Sequence, residues 1–311
     1  MDAVALQSRA QIEKGSKSFA AAARLFDADT RDSASMLYAW CRYCDDVIDG
    51  QVLGFADQAP QSHTPEARLA LLHERTTSAY RGEATDDPVM RAFQRVAHRH
   101  AIPESCALDL LQGFRMDVEE FRYRTIDETL TYCYHVAGVV GVMMAMVMGV
   151  RDEETLDRAC DLGLAFQLTN ISRDVLEDAA MGRCYLPEDW LLEAGVDTRH
   201  LERPSNRDGL ARVARRLVGE AEPYYDSALT GLSRLPFRCA WAIAGARGVY
   251  RAIGRDVHRL GPAAWDRRVS TSRGQKVRLL MLAGVQAAAA RTLGRWRTPA
   301  PRVGLWTRPG G

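Results

Sequence analysis

One stretch of residues limits what this 311-residue chain can fold into. Gly163, Gln167, Asn170, Asp174 and Asp178 follow one another at steps of four, three, four and four. On an α-helix those steps put all five on one side. The positions between them include Leu162, Leu164, Phe166, Leu168, Ile171, Val175 and Leu176. A helix that is apolar on its other sides is buried in a bundle. Buried carboxylates need partners, so the polar stripe must face a cavity.

The rest of the chain agrees with an all-α fold. Helical spacing dominates, and strand-type alternation bounded by turns is hard to find. The pattern predicts helices over 30–50, 66–81, 87–101, 104–122, 127–149, 153–180, 187–194, 207–230, 237–260 and 272–294. Thr64-Pro65-Glu66 reads as an N-cap, a proline at the first helical position and an acid in the first turn. Thr125 and Glu128 have capping-box spacing. Gly54 to Pro65 reads as a loop. No repeat and no clear linker divides the chain, so one helical domain is expected over 1–297. A flexible C-terminal tail is expected over 298–311, where prolines and glycines collect.

Composition removes several classes of function. Hydrophobic residues make up 47% of the chain, which excludes an intrinsically disordered protein. Lys and Arg number 41 against 40 Asp and Glu, so there is no global attraction to nucleic acid, and no nucleic-acid partner is expected. Seven cysteines show no disulfide framework and suit a reducing compartment. Met1 to Phe19 has no apolar run of signal-peptide length, so a cytoplasmic location is expected. Thr129 to Val150 carries no Asp, Glu, Lys or Arg. Its strongly apolar part, Val136 to Val150, is short for a membrane span, and a buried bundle helix explains it better.

A second carboxylate pair lies near the N-terminus. Asp45 and Asp49 are four apart and share a helix face, with Arg42 three residues before Asp45 and Asp46 alongside. Like charges at this spacing repel, and a cation resolves the repulsion. Taken alone, this pair could equally be a solvated helix end before Gly50. Asp174 and Asp178 repeat its spacing. Two such pairs on separate helices suggest a metal-bridged diphosphate site. An apolar cavity beside it would hold a hydrocarbon chain and keep water from a carbocation. The chemistry inferred is ionisation of a prenyl diphosphate.

At these residues the sequence resembles the phytoene/squalene synthase family. Tyr132-Cys-Tyr-His-Val-Ala-Gly138-Val-Val-Gly141 is similar to the family's first signature. Leu162-Gly163 through Gln167, Asn170-Ile171, Arg173-Asp174-Val175 and Asp178, then Arg183-Cys-Tyr185-Leu-Pro187, is similar to the second. Ser16-Lys17-Ser18-Phe19 and the Tyr38 to Asp49 block also match. The resemblance spans roughly residues 15 to 285, and within the family it is strongest to bacterial enzymes of carotenoid pathways. It implies an isoprenoid-synthase-type helical bundle around a central cavity. It also implies head-to-head joining of two geranylgeranyl diphosphates through a cyclopropyl diphosphate, with loss of two diphosphates.

The resemblance carries roles onto individual positions. Asp45, Asp49, Asp174 and Asp178, with Asn170, are the expected Mg²⁺ ligands, and Mn²⁺ also fits oxygen donors. Lys17, Ser18, Arg42 and Arg173 are candidate diphosphate contacts, and Arg268 is a further one. Gln167 would line the cavity between the pairs. Tyr38, Tyr132 and Tyr250 would contact diphosphate or steady cationic intermediates. No Gly-rich dinucleotide fingerprint is evident, so no nicotinamide is expected. Amphipathic substrates imply peripheral membrane association and neighbouring carotenoid-pathway enzymes as partners.

Other features have plainer readings. Cys41-x-x-Cys44 has no second pair and reads as packing. His135 reads as a satisfied core histidine, and Met143, Met144, Met146 and Met148 as wall or core. Asp117 matches a family acid, whereas Glu119 and Glu120 read as solvated. A C15-specific dehydrosqualene or squalene synthase, a terpene cyclase and a non-catalytic helical factor are the competing readings. Both aspartate pairs being present argues against the last.

Overall fold

Helix starts fall where the sequence supplies side-chain acceptors or prolines. The computed structural model describes residues 22–50, 64–293 and 301–309. Lys17 and Ser18 lie outside the described residues, as does all but the end of the loop expected at 54–65. Asp27 accepts the Thr30 amide (2.9 Å) and opens α1 (Ala28–Asp49). Thr64 and a first-turn proline open α2 (Pro65–Tyr80), and Asp87 opens α3 (Pro88–Arg99). Then come α4 (Glu104–Val118), α5 (Ile126–Cys133), a π-helical turn (Tyr134–Gly138) and α6 (Val139–Val147). Asp152 caps the 28-residue α7 (Glu153–Ala180). The chain continues through α8 (Glu188–Glu193), α9 (Arg207–Gly231), α10 (Phe237–Leu260) and α11 (Arg273–Leu293). No strand occurs among the described residues, and the fold is all-α as expected.

Most helix ends agree with the expected spans to within two residues, and the exceptions have local causes. Helix α4 stops at Val118 rather than 122. Glu120 takes a left-handed conformation (φ 49°), and the Phe121 amide donates back to the Met116 carbonyl (3.0 Å). That is a Schellman ending built without glycine, so no glycine announces it. The Thr125 hydroxyl makes no capping bond, and Glu128 instead accepts from the Arg124 amide (2.6 Å). The helix expected over 127–149 is broken by the π turn.

That turn has a geometric consequence. Residues four apart drift about 40° around an α-helix, and a wider π turn takes up the drift. Val136, Val140, Met144 and Met148 therefore line one cavity, and Tyr132 joins Val136 in lining a second.

Helix α7 is the central post, packed against α9, α6, the π turn and α10. Glycines let it approach its neighbour. A Cβ on Gly163 would lie 2.7 Å from Gly138 Cα and closer still to the Ala137 carbonyl, and one on Gly141 would collide with the Ala159 carbonyl. Gly163 thus serves close helix packing and still lines a cavity with Gln167 and Asn170. One apolar cluster runs from Ala23 to Ala242 and takes in Leu305 and Trp306. Ile126–Val147, the one stretch long and apolar enough to cross a bilayer among the described residues, is part of this core, with 61% of its most apolar window buried.

The tail departs from expectation. Residues 301–309 are not a loose end but are docked across α7 and α9. Arg302 Nε and Nη2 donate to both oxygens of Asp161 (2.8 and 2.7 Å), and Arg308 Nε donates to Asp157 (2.7 Å). The Trp306 amide donates to the Tyr224 hydroxyl (3.1 Å), and its ring lies 5.2 Å from that of Tyr134. Composition rich in Pro and Gly predicted freedom, but buried carboxylates on α7 supply specific anchors.

Candidate active site

The two aspartate pairs close the C-terminal ends of α1 and α7. Backbone carbonyls there give the helix its negative pole, and neither last turn contains a basic residue. Four carboxylates at two such poles form a site that favours cations. They line a polar cavity of about 550 Å³ together with Tyr38, Arg42, Asn170, Arg173 and Arg183. Tyr38, Val136, Gln167 and Asn170 also line a second, apolar cavity of about 340 Å³. That cavity continues between α1, α6, α7 and α10 past Phe166, Leu162 and Met148. The site is therefore a polar mouth opening onto an apolar chamber.

Arginines offset the carboxylates in the mouth. Arg42 reaches Asp45 (2.9 Å) and Asp46 (2.7 Å) along α1. Arg173 grips Asp174 with two bonds (2.8 and 2.5 Å). Arg268 reaches Asp174 (3.0 Å) and Glu177 (3.2 Å) from beyond α10. Arg183 reaches Asp49 (2.6 Å) from the turn after α7, so it ties one aspartate-bearing helix to the other. Even so, burial, aided by neighbouring Asp174, pushes the Asp178 carboxyl up to about 7. Burial likewise raises Asp45, against the pull of Arg42. Burial thus disfavours the charged forms of Asp45 and Asp178.

The donors suit a hard divalent ion. The stripe's amide, Asn170, donates to Gln167 (3.3 Å), while its buried Oδ1 accepts no hydrogen bond. A carboxamide oxygen and four carboxylates are an all-oxygen set, which Mg²⁺ and Mn²⁺ prefer. Among the described residues no three His, Cys, Asp or Glu side chains already converge as a metal cage.

An aromatic layer flanks the mouth. Asp117 on α4 accepts from Tyr132 (3.2 Å) and Tyr185 (3.0 Å), whose rings stack at 4.6 Å. Burial pushes Asp117 up to about 6, with Arg183 pulling the other way. Tyr250 stacks on Phe166 at 4.3 Å at the chamber wall. The plainer readings also find their places. His135 Nδ1 bonds the Asp109 carbonyl (2.8 Å), and Met144 and Met148 line the chamber while Met143 and Met146 are core. Cys41 and Cys44 are free thiols; Cys44 is buried in the core, and Cys41 packs against it at the edge of the mouth, its thiol pushed up to about 12 by burial.

Of the expected site residues, the structure gathers Tyr38, Arg42, Asp45, Asp49, Tyr132, Gln167, Asn170, Arg173, Asp174 and Asp178 around the mouth. Tyr250 lies on the chamber side, and Arg268 reaches the mouth through Asp174. Three participants were not singled out as site residues from the sequence: Arg183, Tyr185 and Tyr123. Arg183 and Tyr185 sit in the second signature, five and seven residues after Asp178, and that proximity was the available signal. Tyr123 packs on Tyr132 (5.4 Å) and carries no sequence signal of its own.

The comparisons with known proteins place the whole chain among enzymes of one family. Residues 12–275 match the squalene/phytoene synthase family. A 15-cis-phytoene synthase of Pantoea ananas is 57% identical over 95% of this chain and 94% of its own length. One from Paracoccus sp. is 51% identical over 99% of both. Among solved structures, a dehydrosqualene synthase in complex with ligand superposes with TM-score 0.80 at 29% identity, covering 92% of this chain and 97% of that one. A squalene synthase from Alicyclobacillus acidocaldarius gives 0.73 at 25% identity, over 83% and 94%. With both signatures lining one bipartite cavity and relatives matched over nearly their full length, this chain belongs to the squalene/phytoene synthase family.

Proposed function

We propose that this protein joins two molecules of geranylgeranyl diphosphate head to head, forming phytoene and releasing two diphosphates. The observation that carries this reading is the union of two aspartate pairs with an apolar chamber, in a chain more than half identical to proteins named phytoene synthase. Asp45 and Asp49 on one side, and Asp174, Asp178 and Asn170 on the other, would hold Mg²⁺, with Mn²⁺ as a substitute. Bound there, the ions neutralise charge on each departing diphosphate.

This chain's own residues do the rest. Arg42, Arg173, Arg183 and Arg268 hold aspartates, and they are placed to turn onto diphosphate oxygens when substrate enters. Lys17 and Ser18 are proposed as further diphosphate contacts. Gln167 and Tyr38 mark the boundary where diphosphate gives way to hydrocarbon. After the first substrate loses its diphosphate, the double bond of the second attacks the allylic cation and a proton is lost as the cyclopropyl diphosphate closes. That intermediate loses the second diphosphate, rearranges and gives up a second proton to form phytoene. The walls at Phe166, Leu162 and Met144 exclude water that would quench the cation. Tyr132 and Tyr250 present ring faces or hydroxyls where positive charge develops. No nicotinamide is needed for this product.

We further place the protein in the cytoplasm on a membrane periphery, close to enzymes that consume the product, because substrate and product are amphipathic or insoluble in water. Failure of a carbonate wash to release it would overturn peripheral attachment. The activity is tested by incubating purified protein with labelled geranylgeranyl diphosphate and Mg²⁺, without NADPH. A C40 triene-centred hydrocarbon is expected, and it disappears on chelation with EDTA. A C30 hydrocarbon from farnesyl diphosphate, with no C40 product, would move the assignment to a dehydrosqualene synthase. No product from either substrate would leave a non-catalytic helical protein.

A further inference from the structure

We propose that α11 is the face by which this protein lies on an anionic lipid bilayer. The inference rests on the peripheral membrane association proposed above and names the surface responsible. Ala283 and Ala287 of α11 are buried in an apolar cluster with Leu232, Ala240 and Ala244. On the side turned away from that cluster, Val277, Met281 and Val285 recur at steps of four. They are 60%, 69% and 68% exposed. Ala288 extends the same stripe and is also exposed. Helical spacing puts Arg278 along one edge of the stripe and Arg273 and Arg291 along the other. An apolar stripe between basic edges is the pattern of a helix lying in a bilayer interface. Long arginine stems can bury beside it while their heads reach phosphate.

Charge complementarity selects the occupant. Residues 267–311 hold ten Lys and Arg and no Asp or Glu, in a chain whose net charge is only +1. Arg268, Arg302 and Arg308 of this run turn inward to carboxylates. Arg273, Lys276, Arg278 and Arg291 on α11 are exposed. A two-fold pairing of α11 with a second copy would set these cations against one another. Anionic headgroups would be attracted to Arg273, Arg278 and Arg291, the three that edge the stripe.

The helix also follows the length of the site. It begins five residues after Arg268, which reaches Asp174 in the polar mouth. Farther along, Ala283 and Ala287 share a cluster with Leu232, which lines the apolar chamber. A bilayer against α11 thus lies beside both ends of an amphipathic substrate's path.

The test is co-sedimentation of the purified full chain with phosphatidylcholine vesicles, with and without about a third phosphatidylglycerol. Binding is expected to the anionic vesicles, about tenfold or more weaker to neutral ones, and reversed by high salt. Val277→Glu with Met281→Glu, and separately Arg278→Glu with Arg291→Glu, should each weaken partitioning by about tenfold or more. Both should leave the thermal midpoint and turnover of detergent-dispersed substrate unchanged. Should the first pair misfold, Val277→Ser with Met281→Ser takes its place. Variants that sediment like the parent, or a parent that binds neither vesicle, would overturn the proposal. A parent dimer in gel filtration that Met281→Glu dissociates would assign the stripe to a second copy instead. Vesicle binding does not depend on turnover, and the detergent assay reports separately on the catalytic reading.

Discussion

Asp174 is held by Arg173 with two bonds and by Arg268 with a third, while its neighbour Asp178 has its carboxyl pushed up to about 7. Two aspartates four residues apart thus have unlike surroundings, and a cation bound beside Asp178 would favour its charged form. Asp174→Ala should lower turnover about a thousandfold or more while leaving the far-ultraviolet dichroism spectrum unchanged. Turnover near the parental rate would remove Asp174 from the diphosphate site. Asp117 gives a pH prediction. Its folded carboxyl titrates near 6, above the unfolded value of 3.8. The folded state therefore holds the proton more tightly, and this group's contribution is fully present below about pH 4. It is lost as pH rises through 6, by up to about 3 kcal/mol. Urea unfolding in EDTA, compared between the parent and Asp117→Asn, should show the parent losing ground to the variant over that window. A constant difference between them would mean that Asp117 is not held in a burial-raised state.

At the level of whole helices, glycine positions separate close packing from mere flexibility. Gly163 and Gly141 let α7 approach the π turn and α6 at backbone distance. Gly163→Ala should destabilise the protein by about 1–3 kcal/mol through overpacking. Gly219, exposed in the middle of α9, has nothing within 4 Å of where a Cβ would sit. Gly219→Ala should stabilise by up to about 1 kcal/mol through helix propensity. Thermal unfolding of the two variants should shift in opposite directions. A Gly163→Ala protein as stable as the parent would show that the α7 contact can relax.

Across the whole molecule, the C-terminal segment acts as a strap rather than a tail. Asp161 is fully buried, and both of its oxygens accept from Arg302, 141 residues away, with Ser227 and its neighbour Arg158 completing the network. Arg302→Ala would leave a buried carboxylate without its cation, at a cost of about 3–5 kcal/mol. The denaturant midpoint should drop accordingly, whereas an unchanged midpoint would show that the segment is not anchored by this pair. The strap's far end ties Arg308 to Asp157 and Glu153 at the start of α7, the helix that carries three of the five candidate metal ligands. The anchors of the chain end and these ligands thus lie on one helix.

Much of this architecture was legible in residue order because helices repeat every 3.6 residues, a purely local property. The stripe of Gln167, Asn170, Asp174 and Asp178, the repeat of that spacing at Asp45 and Asp49, and the boundaries of α7 and α10 all follow from it. What residue order could not supply was pairing across the chain. With 41 cations and 40 anions, almost any arginine could in principle meet any carboxylate. Only packing brings Arg183 to Asp49, Asp117 to Tyr132 and Tyr185, and Arg302 to Asp161. Local periodicity thus determined the helices and the faces that carry the chemistry. The tertiary structure decided which charges share a buried site, because burial, not sequence distance, sets the cost of leaving a charge alone.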